Sequence, residues 1–134
     1  MARLLALIAV IILAAGPAWA EGSFGAIAYS PAADNSAAAT DKPNRDEAEQ
    51  AALASCRKAT KSNPDSCQSA IWFKNACGAL AKDKKSTAWG TGWGDTQKIA
   101  TNWAVGVCKQ YGGTDCKLVV SACSPGGAAT IPKN

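Results

Sequence analysis

A chain of 134 residues fits one small domain, and 48% apolar with 18% charged residues describes a compact globule rather than a disordered or fibrous chain. Histidine is absent, which removes Ser-His-Asp and Cys-His catalysis and the zinc sites that need imidazole. The net charge of +4 is mild and the lysines are scattered, whereas nucleic-acid binding calls for a concentrated basic face.

Residues 1–20 read as a cleavable secretory signal. Arg3 is the positive start, Leu4 to Ala15 is an apolar run broken by Gly16-Pro17, and Ala18-Trp19-Ala20 is a small-x-small cleavage site before Glu21. About a dozen apolar residues at a 1.5 Å rise fall short of a bilayer core roughly 30 Å thick, so no membrane span is expected after cleavage. No cysteine follows the cut to carry a lipid. Loss of Arg3 lowers the net charge to about +3. The expected location is the bacterial periplasm or the extracellular space.

The remaining chain repeats itself. Phe24-Gly25-Ala26-Ile27-Ala28-Tyr29-Ser30 is echoed 53 residues later by Cys77-Gly78-Ala79-Leu80-Ala81-Lys82-Asp83, and the segment ending at Cys56 is echoed 52 residues later by the one ending at Cys108. Cys67 and its strand match Cys116 and its strand at an offset of 49, as a shorter helix-to-strand turn would give. The reading is therefore a tandem of two units, about 24–76 and 77–123, packed as a single domain over residues 21–123 because neither is large enough to bury a core alone.

In the first unit, a strand from Phe24 leads to a stretch, Ser36 to Asp41, that reads as loop or weak edge strand. Asn44 then caps a helix, with Glu47 completing a capping box. Its inward stripe is Ala48, Ala51, Ala52, Ser55 and Cys56. A strand over Ser69 to Asn75 follows. In the second unit, Lys82, Lys84 and Lys85 mark a solvated turn, and Thr87 to Gly94 alternates so that Trp89, Thr91 and Trp93 share one strand face. Asp95 is the expected cap of a second helix with the stripe Ile99, Ala100, Trp103, Ala104, Val107 and Cys108, where Trp103 fills space that the alanine helix leaves. Gly112-Gly113 stops it, a strand spans Lys117 to Ala122, and residues 124–134 form a tail without periodicity, expected to be mobile. The expected fold is α+β: two strand-strand-helix-strand units forming one mixed or antiparallel sheet covered by two helices.

Six cysteines allow fifteen connectivities, which the repeat narrows. Cys56 and Cys108 each end a helix while Cys67 and Cys116 each begin the next strand, predicting Cys56–Cys67 and Cys108–Cys116 and leaving Cys77–Cys123 to tie the two units together. Spacings of 11, 10, 31, 8 and 7 lack the close CxxC pairs of metal or redox sites, so no metal or cofactor is implied.

Taken together, Gly25-Ala26-Ile27-Ala28-Tyr29-Ser30, the helix around Glu47-Ala48-Glu49, Trp72-Phe73-Lys74-Asn75-Ala76-Cys77-Gly78-Ala79-Leu80-Ala81 and Trp89-Gly90-Thr91-Gly92-Trp93-Gly94 resemble the DUF4189 domain, a family of small secreted bacterial proteins. The likeness runs from about Phe24 to Cys123. It departs at Pro31 to Lys42, which lacks the family's glycines and aromatics. It implies an envelope or extracellular location and no catalytic residue.

Three functions are open to such a chain. A binding or inhibitory module for a protein or cell-wall polymer would use Trp89, Thr91 and Trp93 beside Tyr29, since aromatic rings dominate interface hot spots; the alternative use of the two tryptophans is as core packed on the second helix. A cell-wall glycan hydrolase needs two carboxylates at a set separation, but Asp46, Glu47 and Glu49 sit at a helix start, Asp95 at a cap, and Asp83 and Asp115 in turns. A passive envelope or stress protein needs only the disulfides.

Overall fold

The computed structural model describes residues 22–125. The expected signal peptide and residues 126–134 of the expected tail lie outside that span. The elements are β1 (Phe24–Ser30), β2 (Asn35–Lys42), α1 (Arg45–Ala59), β3 (Gln68–Lys74), β4 (Ala76–Asp83), β5 (Trp89–Gly94), α2 (Gln97–Gln110) and β6 (Cys116–Ser124), with a short 3-10 turn at Pro64–Ser66. The last strand thus reaches Ser124, one residue into the expected tail. No helix among the described residues is long and apolar enough to cross a membrane.

The strands form two antiparallel three-stranded sheets, β2-β1-β3 and β5-β4-β6, instead of the single sheet expected. The reason lies in the two central strands. β1 turns Ala26 and Ala28 to one side and Ile27 and Tyr29 to the other; β4 does the same with Ala79 and Ala81 against Leu80. Each central strand therefore has two apolar faces to cover. The alanine face takes a helix and the large-residue face takes the other sheet, giving four layers: α1, first sheet, second sheet, α2. The inter-sheet core holds Ile27, Tyr29, Phe73, Leu80 and Val120. β2 lies over β6, and β3 lies over β4 and β5.

Asn75, at φ 48°, turns the chain from β3 in one sheet to β4 in the other. Its N–H donates to the Ser23 carbonyl at 2.8 Å, and its Oδ1 accepts the Ser23 N–H at 2.8 Å. Just before it, Phe73 enters the core between two glycines. A Cβ on Gly25 would stand 2.3 Å from the Phe73 ring and one on Gly78 2.4 Å, so the glycines that match across the 53-residue offset jointly hold one aromatic side chain.

Helix α1 begins as expected. The Asn44 side chain accepts the Glu47 N–H at 2.9 Å, while its amide donates to Glu47 Oε1 at 3.0 Å. Asn44→Ala is expected to cost about 1 kcal/mol, read as a lowered thermal midpoint by circular dichroism. Its buried stripe is narrower than expected: Ala48, Ala52 and Cys56 are buried, Ala51 is half-buried and Ser55 is exposed. Helix α2 is capped by Thr96, not Asp95. The Thr96 hydroxyl accepts the Ile99 N–H at 3.2 Å, since the first helical residue is Gln97 and the cap must directly precede it.

The disulfides are Cys56–Cys67, Cys108–Cys116 and Cys77–Cys123, the connectivity that the repeat predicts. The third does not tie the units together. Cys77 and Cys123 are directly opposed on β4 and β6, neighbours in the second sheet.

Candidate functional site

The site grows from the glycines of β5. Gly90, Gly92 and Gly94 all face α2, where a Cβ on Gly92 would lie 2.5 Å from both the Ala100 carbonyl oxygen and the Ala104 nitrogen. Ala100, Ala104 and Cys108 answer from the helix, fully buried at four-residue spacing. Helix backbone rests on strand backbone, which leaves no space for large side chains between them. Trp103 is therefore 62% exposed and Ile99 is exposed as well, correcting the expectation that Trp103 fills the core. Both are displaced to the flank of α2.

The opposite face of β5 carries Trp89, Thr91 and Trp93. Trp89 is half-buried against Tyr29, ring centroids 5.3 Å apart in an edge-on arrangement. Thr91 is half-buried, and Trp93 is 62% exposed. This face looks toward the other sheet, so neither tryptophan packs on α2. Tyr29 is no part of a surface: it is 1% exposed, and its hydroxyl donates to Asp34 Oδ1 at 3.1 Å. Burial first, and then the Asp34 carboxylate, push its phenol above the usual range, so it stays neutral.

Between β3 and β5 these residues line a seam. A cleft of about 540 Å³ runs along the end of β5 between Trp103 and Ile99 on one side and Trp93 and Ile71 on the other. A second, of about 660 Å³, continues from Thr91 past Trp89 to Tyr111, and a third follows β3 from Ala70 to Lys74 under Trp93. All four tryptophans of the described residues, Trp72, Trp89, Trp93 and Trp103, line this seam. Trp72 is engaged already: the Arg45 guanidinium lies 4.8 Å from its ring centroid, and Phe24 stacks at 6.3 Å. Trp93 and Trp103 are the open rings. Trp72, Ile71, Ile99 and Trp103 were outside the expected face. The feature that could have found the last two is the glycine alternation of β5, which dictates a close helix and so expels its larger neighbours.

The carboxylates are dispersed. Asp95 alone lies in the seam among the described residues. Glu49 pairs with Arg45 at 2.9 Å and accepts the Ser69 hydroxyl at 2.6 Å. Although burial raises its carboxyl, those bonds outweigh it and hold the group below its ordinary value. Asp83 is buried at the end of β4, its Oδ1 accepting the Asp115 N–H at 2.5 Å. Its Oδ2 has no partner in hydrogen-bond geometry, yet the Ser86 hydroxyl, against the effect of burial, and the N–H groups of Asp115, Lys85 and Thr114 lower its affinity for a proton. A carboxyl depressed in the folded state contributes stability above its unfolded value and loses it as pH falls through the folded one. Acidification below about pH 4, the ordinary value being 3.8, is therefore expected to lower the thermal midpoint, and Asp83→Asn to remove much of that dependence. No group of three or more potential metal ligands occurs among the described residues.

Fold and site together define a small disulfide-bonded α+β domain with an aromatic seam between two sheet edges. The model of the domain of unknown function DUF4189 matches residues 24–123, and the chain belongs to that family. No curated protein and no solved structure matches it.

Proposed function

We propose that the chain is an exported, disulfide-stabilised binding module that takes a protein or cell-wall partner on the seam between β3 and β5. The observation behind this is the gathering of four tryptophans along one seam, with Trp93 and Trp103 each 62% exposed. Open indole rings present large rigid contact area at little entropic cost, and an exposed apolar patch of this kind marks interaction sites. Three disulfides with no free cysteine among the described residues favour an oxidising compartment, the bacterial periplasm or beyond. The shared strand order of the two halves, with β1 and β4 each central, supports reading them as copies of one unit.

The test separates rings that bind from rings that fold. Trp93→Ala/Trp103→Ala is expected to hold its stability within about 0.5 kcal/mol, as exposed positions do, while losing the partner captured from periplasmic and culture-supernatant fractions or cell walls. Trp89→Ala is expected to cost on the order of 3 kcal/mol by emptying the space beside Tyr29. A double variant that retained every partner of the parent protein would remove the seam from the function.

A further inference from the structure

We infer that β5 is the edge to which a partner adds a strand: an extended peptide, apolar at its centre and basic at one end, pairs along Trp89–Gly94 as the fourth strand of the second sheet. This rests on reading the seam as the binding surface. Among the described residues the four edge strands are β2, β3, β5 and β6. Natural edges are blunted against pairing by bulges and charges. The pairings of β2, β3 and β6 each carry a register shift, and those strands carry Asp41 and Lys42, Lys74, and Lys117. β5 has neither device: its six residues pair with β4 in unbroken register and include no charge and no proline.

The main-chain groups of β5 can be placed. The Asp83 N–H donates to the Ala88 carbonyl at 2.8 Å, and antiparallel hydrogen-bonded pairs recur at every second residue. Gly90, Gly92 and Gly94 therefore turn their N–H and C=O groups to β4. Those of Trp89, Thr91 and Trp93 point to the open edge. A strand laid there sends alternate side chains toward Ile99 and Trp103 on one side and Ile71 and Trp93 on the other. Such a slot, strand edge plus flanking pockets, is the arrangement by which proteins read extended peptides.

The charge pattern selects the same occupant. The cleft is uncharged along its length and ends at Asp95, so it complements an apolar stretch with a cation at the Gly94 end. In an antiparallel strand that end is the amino-terminal one.

The probe is a displayed library of random heptapeptides panned on the oxidised protein, the enriched sequence then being synthesised and titrated by fluorescence anisotropy. Enrichment of apolar peptides with an amino-terminal Lys or Arg is expected, and N-methylating the edge-facing alternate amides should weaken binding at least tenfold while methylating the others changes it little. Thr91→Pro removes one outward N–H, tolerated on an edge strand, and should weaken binding tenfold with the circular dichroism spectrum kept; Asp95→Asn should weaken it two- to fivefold. No enrichment, or equal tolerance of every N-methyl position, overturns strand addition. If cell-wall fragments then sediment the protein through Trp93 and Trp103 but regardless of Thr91→Pro, the seam stands and the strand falls; a dimer broken by Thr91→Pro would replace the peptide by a second copy.

Discussion

Gly92→Val is expected to leave the protein largely unfolded at room temperature, and Gly92→Ala to cost on the order of 3 kcal/mol, the upper part of the usual overpacking range. The new Cβ would sit 2.5 Å from the Ala100 carbonyl oxygen and 2.5 Å from the Ala104 nitrogen. Both are backbone atoms of α2, so no rotamer change relieves the contact; the whole helix must rise off the strand. That would also separate Ala100, Ala104 and Cys108 from β4 and β5. Gly106, on the same helix with nothing within 4 Å of a Cβ, is the control. Gly106→Ala should stabilise by about 0.5–1 kcal/mol through higher helix propensity. Urea unfolding of the pair measures both signs; equal tolerance at Gly92 would mean that α2 is not seated on β5.

Removing Cys77–Cys123 as a double alanine variant should be the costliest disulfide loss. It closes 46 residues of chain, and unfolded-chain entropy puts its contribution at about 4 kcal/mol. Cys108–Cys116 closes 8 residues, for about 2.5 kcal/mol on the same basis. The structural role points the same way. Cys77 and Cys123 fasten β6, whose other edge pairs with no strand among the described residues, to the central strand of its sheet. Urea midpoints of the two double variants rank them, and a greater loss from Cys108–Cys116 would show that native packing, not chain entropy, sets the order.

Features governed by neighbouring residues were legible in the sequence. The Asn44 cap, the two helices with their alanine spacing and all three disulfide pairs depend on local pattern or on the internal echo, and the structure has them. The division into two sheets was not, because Ala-Ile-Ala-Tyr and Ala-Leu-Ala show that a strand alternates without showing that both its faces are covered. The same gap put Cys77–Cys123 between units instead of within one sheet. At the site, the shared face of Trp89, Thr91 and Trp93 followed from period two. Its division into a buried end and an open end did not, because Tyr29, Ile71 and Trp103 come from three other elements. Trp103 misled for a specific reason: an aromatic beside an alanine stripe looks inward-facing until the glycines opposite leave it no space.

The Ser23 hydroxyl contacts that of Ser124, and Asp41 donates its N–H to the same Ser124 oxygen at 3.0 Å. The first and last described strands are thereby clasped at one corner, on the side where β2 lies over β6. The seam lies on the other side, between β3 and β5. A tether joined near Ser124, whether a solid support, a reporter domain or a cell surface, would hold the domain from the β2–β6 side and present the tryptophans outward. Geometry at this corner also brings two distant points of the chain within reach of a linker of a few residues, so the domain can be inserted into a surface loop of another protein without prying that loop apart.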